Sequence, residues 1–371
     1  MSGSTRVVLL SNTYAPNRAP VWRALAEKVG RLDVILLRDQ EANRIWDIDT
    51  DKAYTIHTLR TYGLYLPFID SGLYWGGGIG KKLTSLDPTH LIVSGFSAPP
   101  FLEAIVWARK HNIPLVQWYY SHALSSRFRG GLIHWMRGLI LRRADAWATA
   151  GTMARDYLIN MGIPSERVVL VSNPVDVCAF NYGVDDIRVR NGPARILYIG
   201  QFIERKGIVL LVEAFRQMKC EAKLRLVGYG SQEVELREVS ADMDNVEILP
   251  PTRNPKEAAK HYRWADIVVM PSTREVWGLV VNEALAAGCY VLSSNVAGVT
   301  PDLVENAPLD VGRSIDPSLG PVPLAHVMDE VVENINAYRS RRGVISSWGM
   351  EFTPERTAKG LIKTLEQVRS L

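Results

Sequence analysis

Cysteine is scarce in this chain: Cys178, Cys220 and Cys289 are its only three, far apart and odd in number. They offer neither a disulfide framework nor a zinc-ligand spacing, which suits a reducing cytosol. Long apolar runs are missing as well. No uninterrupted stretch approaches a membrane span, and no signal-peptide hydrophobic region precedes the strand expected from Arg6. The expected location is cytoplasmic, with contact to a membrane only as a peripheral protein at its inner face. Internal repeats and low-complexity tracts are lacking. So is Gly-x-Gly-x-x-Gly after the first strand, which argues against a dinucleotide-binding first domain. A large excess of either charge is also missing, since the net charge is +4. Its distribution is uneven, with 20 Lys/Arg against 14 Asp/Glu in residues 1–180 and 23 against 25 in residues 181–371.

What is present is a hydrophobic content of 47%, enough for full cores and too much for a disordered chain. The 371 residues suffice for two domains of ordinary size. Short apolar strands alternate with amphipathic helices, the pattern of an α/β fold with doubly wound parallel sheets. Strands are expected at 7–10, 34–37, 91–93, 115–119 and 146–149, with helices at 21–29, 101–110 and 132–143. The alternation restarts at 196–199 and continues through 224–227, 246–249, 267–270 and 290–292. Ser172-Asn-Pro-Val-Asp176 is turn-forming and is followed by weak periodicity up to Pro193. The expected organisation is a Rossmann-like domain over 1–175, a hinge at 176–192 and a second Rossmann-like domain over 193–351, with a last helix over 354–370. Open parallel sheets bind ligands beyond the carboxyl ends of their strands, so two facing domains would enclose the site in a cleft.

The most informative stretch is Glu275-Val-Trp-Gly-Leu-Val-Val-Asn-Glu283-Ala-Leu-Ala-Ala-Gly288. The apolar strand 267–270 ends in Pro271-Ser272, and Glu275 falls in the loop beyond it. Gly278 and Gly288 bracket a short helix that holds Glu283. A helix starting there leaves the amides of Gly278, Leu279 and Val280 unpaired, and such an end favours a phosphate. Glu275 would stand beside that phosphate and Glu283 one turn deeper, each able to accept charge-assisted hydrogen bonds from sugar hydroxyls. Solvated helix charges are the plain alternative for two glutamates; the Pro-Ser before them and Gly278 between them argue for a nucleotide-sugar site. A second cluster agrees. Strand 196–199 ends in Gly200, and Glu204-Arg205-Lys206-Gly207 precedes a helix expected over 208–218. Two cations beside a strand end and a helix start would compensate a diphosphate taken out of water.

The Glu-x7-Glu arrangement resembles that of retaining glycosyltransferases of family 4, which have the GT-B fold of two Rossmann-like domains facing a cleft. The resemblance implies that Glu275 contacts donor-sugar hydroxyls and Glu283 the nucleotide ribose. Lys206-Gly207 matches the family's phosphate-holding Gly-Arg-(four residues)-Lys-Gly, with Gln201 in place of its arginine and Arg205 as the candidate substitute. Val227-Gly228-Tyr229-Gly230 resembles the family's Val-Gly-x-Gly turn, implying close approach of backbone to nucleotide, although glycine after a strand often only makes a turn. His122, just past strand 115–119, matches the family's histidine near the donor sugar and its primary hydroxyl; a structural histidine is the plain alternative. Thr252-Arg253 is a candidate for the base. The segment Ser172–Asp176 matches the family's crossing between domains, and the terminal helix, within 352–371, is implied to return to the first domain. The family's Gly-Gly loop after the first strand has no counterpart here; the loop runs from Ser11 to Pro20, with Asn17 or Arg18 as candidate phosphate or acceptor contacts.

Three further features carry less. Asp47-Ile-Asp49-Thr-Asp51 contains Asp-x-Asp, a metal–diphosphate motif of glycosyltransferases with the other main fold; it reads here as an acidic surface loop. Gly76-Gly77-Gly78 reads as a flexible loop. Arg127, Arg129, Arg137, Arg142 and Arg143 interleave with apolar residues, with no acidic residue between Ser121 and Ala144. This segment, 127–143, is a helix packed on the sheet, a peripheral contact with an anionic membrane, or a surface attracting an acidic acceptor such as a lipid phosphate or nucleic acid. Nothing resembles a base-stacking array for nucleic acid.

The expected activity is retaining, metal-independent glycosyl transfer from a nucleoside-diphosphate sugar, with a UDP-sugar first as the commonest donor. Catalytic candidates are His122, Glu275, Arg205 and Lys206. Donor-binding candidates are Gly200, Gly228, Gly230, Gly278, Leu279, Val280 and Glu283. No metal or cofactor is expected. The acceptor stays open among glycans, lipid-linked glycans, proteins and small molecules. The alternatives are a non-catalytic sugar-nucleotide-binding scaffold of the same fold, supported by Gln201 and the missing Gly-Gly loop, and a GT-B sugar-nucleotide epimerase.

Overall fold

A computed structural model describes residues 5–15, 17–38, 52–59, 61–66, 71–76, 78–96, 98–126, 130–181 and 191–368. The Asp-x-Asp stretch, Arg127, Arg129, Gly77 and most of the expected hinge lie outside the described residues. The chain divides into two compact units, Met1–Pro174 with Pro354–Leu371, and Val175–Thr353.

The first unit begins with β1 (Arg6–Ser11), α1 (Ala19–Ala26), β2 (Arg31–Leu36) and β3 (Thr55–Thr58). A hairpin follows, β4 (Thr61–Leu66) and β5 (Ser71–Gly76), and then α2 (Ile79–Leu86) and β6 (His90–Val93). The remainder is α3 (Pro99–Lys110), β7 (Leu115–Tyr119), α4 (Gly131–Leu141), β8 (Ala146–Ala150), α5 (Thr152–Asn160) and β9 (Val168–Val171). Seven parallel strands lie in the order β3-β2-β1-β6-β7-β8-β9. Both faces are covered, so the strands read as near-continuous apolar runs rather than alternating ones. One face buries Leu83, Phe101 and Leu158 of α2, α3 and α5. The other buries Val21, Trp22 and Leu25 of α1, together with Leu361 and Leu365 from the end of the chain.

The second unit runs α6 (Val177–Asn181), β10 (Ala194–Gln201), α7 (Ile208–Arg216), β11 (Ala222–Tyr229), α8 (Glu233–Val239) and β12 (Val246–Leu249). It continues with α9 (Pro255–Trp264), β13 (Ile267–Met270), α10 (Leu279–Ala286), β14 (Tyr290–Ser294) and β15 (Gly312–Ile315). Three helices close it: α11 (Pro321–Glu333), α12 (Ile335–Ser340) and α13 (Arg342–Gly349). Its six strands are ordered β12-β11-β10-β13-β14-β15 and are parallel throughout. The chain then returns to the first unit as α14 (Pro354–Gln367), where the Thr357 hydroxyl donates to the Ser172 carbonyl at 3.0 Å.

Two expectations are corrected. Gly76 and Gly78 do not form a bare loop: Gly76 ends β5 and Gly78, at φ 59°, caps α2. In α4 Leu141 joins the core and Ile140 packs against it, while the other apolar residues do not. Leu132 is 68% exposed and Trp135 59%, with Ile133, Met136 and Leu139 also exposed, while Gly138 and Leu141 are buried. Two of its arginines point the other way. Arg137 donates to the hydroxyls of Ser126 (2.5 Å) and Tyr157 (2.8 Å), and Arg142 donates to the Met161 carbonyl (2.6 Å).

Because Leu361 is fully buried in the first unit, Leu361→Ala should destabilise that unit by about 2–5 kcal/mol through the cavity it leaves. Urea unfolding followed by tryptophan fluorescence would measure this; an unchanged midpoint would place α14 outside the cooperative unit.

Candidate functional site

The second sheet reverses its strand order between β10 and β13, and in open α/β sheets the crevice beyond the strand ends at such a point is where ligands bind. Beyond β10 the chain makes one tight turn at Glu204–Lys206 and enters α7 through Gly207 at φ 67°. A side chain on Gly207 would collide with the Pro271 carbonyl oxygen, so glycine lets this turn press against the loop beyond β13. The Thr273 amide donates to the Arg205 carbonyl at 2.9 Å and fixes the contact. Lys206 Nζ then forms a partly buried ion pair with Glu275 Oε2, while the Val276 amide donates to Glu275 Oε1 at 3.1 Å.

Burial alone would raise the Glu275 pKa. The Lys206 ammonium, then Arg205 and the Val276 amide, outweigh that and hold it below the usual carboxylate range. The Tyr198 phenol lies in the same field, its pKa pushed up by burial and by Glu275, with its hydroxyl donating to the Gln201 carbonyl at 2.7 Å. Gly278, at φ 109°, starts α10, and a Cβ there would come within 2.8 Å of the Met270 sulfur. Among the described residues the amides of Gly278, Leu279 and Val280 have no hydrogen-bond partner, as the first turn of a helix leaves them. One turn on, the Tyr262 hydroxyl donates to Glu283 Oε2 at 2.6 Å. Burial pushes the Glu283 pKa up to about 7 in spite of that hydrogen bond.

The structure thus brings Glu275, Arg205, Lys206, Gly278, Leu279 and Val280 to one end of the second sheet, with Glu283 beneath. Gly200, Gly228 and Gly230 lie at the neighbouring ends of β10 and β11. Side chains at 228 and 230 would strike the Gly200 and Phe202 backbones, so these glycines let two strand ends close on each other. The Phe202 amide donates to the Tyr229 carbonyl at 2.7 Å in that contact. The Arg253 amide donates to Glu257 Oε2 (2.8 Å) at the start of α9, which gives that segment a capping role. His122 belongs to the first unit, just past β7. It is 1% exposed, with its amide donating to Ser125 Oγ (2.9 Å) and its carbonyl accepting from the Ser125 and Ser126 amides. Among the described residues no group of three or more His, Cys, Asp or Glu could hold a metal.

Sequence reasoning missed Tyr262, Tyr198 and the pair Trp277–Asn282. The buried Trp277 indole donates to Asn282 Oδ1 at 2.9 Å and ties the glutamate loop to α10. A tryptophan between the two glutamates was the available signal; nothing marked Tyr262 or Tyr198 out from ordinary core tyrosines.

Residues 19–174 match the family model for the glycosyl transferase 4-like domain, and residues 185–342 that for glycosyl transferases group 1. Together these two glycosyltransferase family models match most of the chain. A D-inositol 3-phosphate glycosyltransferase of Pseudarthrobacter chlorophenolicus is 33% identical over 173 residues, 41% of this chain and 40% of that protein. The amylovoran biosynthesis glycosyltransferase AmsK of Erwinia amylovora is 31% identical over 160 residues, 40% of this chain and 39% of that one. The matched regions span about two fifths of the length of these curated relatives. Among solved structures, Anabaena Alr3699/HepE in complex with UDP superposes with a TM-score of 0.71 at 15% identity, covering 98% of this chain and 99% of that one. Sucrose-phosphate synthase of Thermosynechococcus elongatus gives 0.72 at 17%, covering 99% of both. These likenesses establish the GT-B fold, in two parallel-sheet Rossmann-like units.

The Glu283 environment generates a pH prediction. Its folded pKa of about 7 lies above the ordinary 4.5, so between those values the folded state binds more protons than the unfolded one. The stability it contributes is full below about pH 4.5 and is lost as pH rises towards 7, by up to about 3 kcal/mol. Denaturant unfolding at pH 5 and pH 8 should show a smaller difference for Glu283→Gln than for the wild type. Equal differences would mean that the carboxyl is not titrating where its burial puts it.

Proposed function

We propose that the chain is a retaining glycosyltransferase that moves a sugar from a nucleoside-diphosphate sugar, most simply a UDP-sugar, to an acceptor hydroxyl. The observation that carries this reading is the Lys206–Glu275 ion pair at the switch point of the second sheet, beside the open amides that start α10. HepE is solved with UDP and with UDP-glucose, which supports a UDP-sugar as the donor. In this reading the α10 amides, Arg205 and Lys206 take the diphosphate and stabilise its departure without a metal or cofactor. Glu275, kept ionised by Lys206, accepts hydrogen bonds from donor-sugar hydroxyls, and Glu283 accepts from the ribose. Gly200, Gly228 and Gly230 keep the strand ends clear where the nucleotide lies. The first unit is taken as the acceptor side, with His122 as its catalytic candidate.

The acceptor oxygen bonds to the anomeric carbon on the face that the phosphate leaves. The bond from that carbon to the phosphate oxygen breaks, and the acceptor's proton passes to the leaving phosphate. No carboxylate is assigned as a covalent nucleophile, so configuration is retained by front-face transfer.

We assign the protein to the cytoplasm, touching an anionic membrane through α4. Among the described residues no helix is long and apolar enough to cross a membrane. The support for surface contact is the exposed Leu132, Trp135 and Met136, in a segment with no acidic residue from Ser121 to Ala144. Wild-type protein should co-sediment with phosphatidylglycerol vesicles, and Trp135→Glu should weaken this at least tenfold. Equal sedimentation of the two, or none by either, would remove α4 as the contact.

Glu275→Gln and Lys206→Met should each reduce donor turnover by about 10²–10³, the scale of a lost charge-stabilising contact. Either change strands a buried partner, so the double variant serves as the control for stability. Turnover within threefold of wild type in a folded single variant would sink the site. An inverted anomeric centre in the product, read by NMR, would sink retention.

A further inference from the structure

The first sheet has its own switch point. Its strand order reverses between β1 and β6, and the side chain that occupies the carboxyl end of both strands is Arg18. Arg18 caps the start of α1. Its Nη1 donates to the hydroxyl of Ser11, the last residue of β1, at 2.7 Å, and lies 3.4 Å from that of Ser94, the residue after β6. The guanidinium sits 5.1 Å from the centre of the Tyr120 ring and 5.8 Å from that of Trp118, at the end of β7. Those rings are 5.4 Å apart and form one aromatic floor.

The cluster is rich in donors and poor in anions. Among the described residues no carboxylate pairs with Arg18, and only Nη1 of its guanidinium is engaged. The Trp118 indole N–H and the Tyr120 hydroxyl are buried there with no partner among the described residues. Burial pushes the Tyr120 pKa up, with Arg18 opposing, which keeps its hydroxyl a donor at neutral pH. A half-buried guanidinium with no counter-ion among the described residues is costly to desolvate, whereas a planar fork over aromatic rings suits a bidentate oxyanion. The first half of the chain also holds all of the positive excess.

We propose that Arg18 receives a phosphoryl group of the acceptor, so that the second substrate is a phosphate-bearing molecule. This rests on the glycosyltransferase reading, because it takes the first unit as the acceptor side. The same chemistry has a second source, the donor's diphosphate, and the test separates the two.

The full chain is held in saturating UDP, and glucose 6-phosphate, inorganic phosphate and glucose are titrated while melting temperature and tryptophan fluorescence are followed. A ligand that binds the folded state raises the melting temperature by mass action. Both phosphates should stabilise the wild type and glucose should not. Arg18→Gln should weaken the phosphates at least tenfold, Arg18→Lys should recover part of that, and Ser94→Ala should cost a few-fold, with UDP affinity within twofold throughout. Equal phosphate affinity in wild type and Arg18→Gln, or no phosphate binding by the wild type, overturns the proposal. A parallel loss of UDP affinity in Arg18→Gln assigns the arginine to the donor diphosphate and overturns the acceptor placement. Phosphate binding at Arg18 in a protein that takes no UDP would uphold the anion site and overturn the donor reading instead.

Discussion

Lys206 and Glu275 stand 69 residues apart in the chain and meet as one ion pair beyond the ends of β10 and β13. The local order of the second unit's site depends on that meeting. Burial presses Glu275 towards its protonated form, and the Lys206 ammonium is the main charge that opposes it. Such a pair adds little net stability, since desolvation consumes most of the attraction, while removing one member is costly. Its value is positional. Together with Gly207 against Pro271 and the Thr273 amide on the Arg205 carbonyl, it holds two loops in one arrangement before any ligand arrives.

The two glutamates of the motif illustrate how surroundings divide one residue type into two states. Glu275 faces two cations and an amide and is held ionised. Glu283, inside α10 with only a tyrosine hydroxyl for company, is poised between protonated and ionised near neutral pH. Spacing along the chain does not distinguish them. The difference arises from the cations: Lys206 and Arg205 reach Glu275 from the turn before α7, while burial at Glu283 is opposed only by the Tyr262 hydroxyl.

Much of the fold was legible because doubly covered parallel strands are apolar along their whole length: 115–119 and 267–270 were readable to the residue. Of the edge strands, β12 was read at 246–249 although it is half exposed and holds Glu247, whereas β3 and β15 were not. β3 is Thr-Ile-His-Thr and β15 is Gly-Arg-Ser-Ile, short and half polar because edge positions are only partly covered, and β4 and β5 form a separate hairpin. In α4 the periodicity showed which residues share a face, but periodicity carries no sign, and the apolar face turned out to be the exposed one. In the site, the chemistry-bearing residues were readable because glycines and strand ends punctuate them. Arg18 was visible only as one candidate in an unfamiliar loop. Its neighbours Ser11, Ser94, Trp118 and Tyr120 come from three strands, and no local pattern joins them.

The return of α14 to the first unit orders events during synthesis. Leu361 and Leu365 complete a core whose other members lie mostly before residue 172, so the first unit to be translated is the last able to close. The intervening Val175–Thr353 has its own sheet and can fold while the earlier core waits with one face uncovered. During that interval Trp22, Leu25 and Val171 lack their α14 covering, a patch for chaperones or for self-association. A chain that reads as two successive domains thus cannot complete the first core until the second has been made.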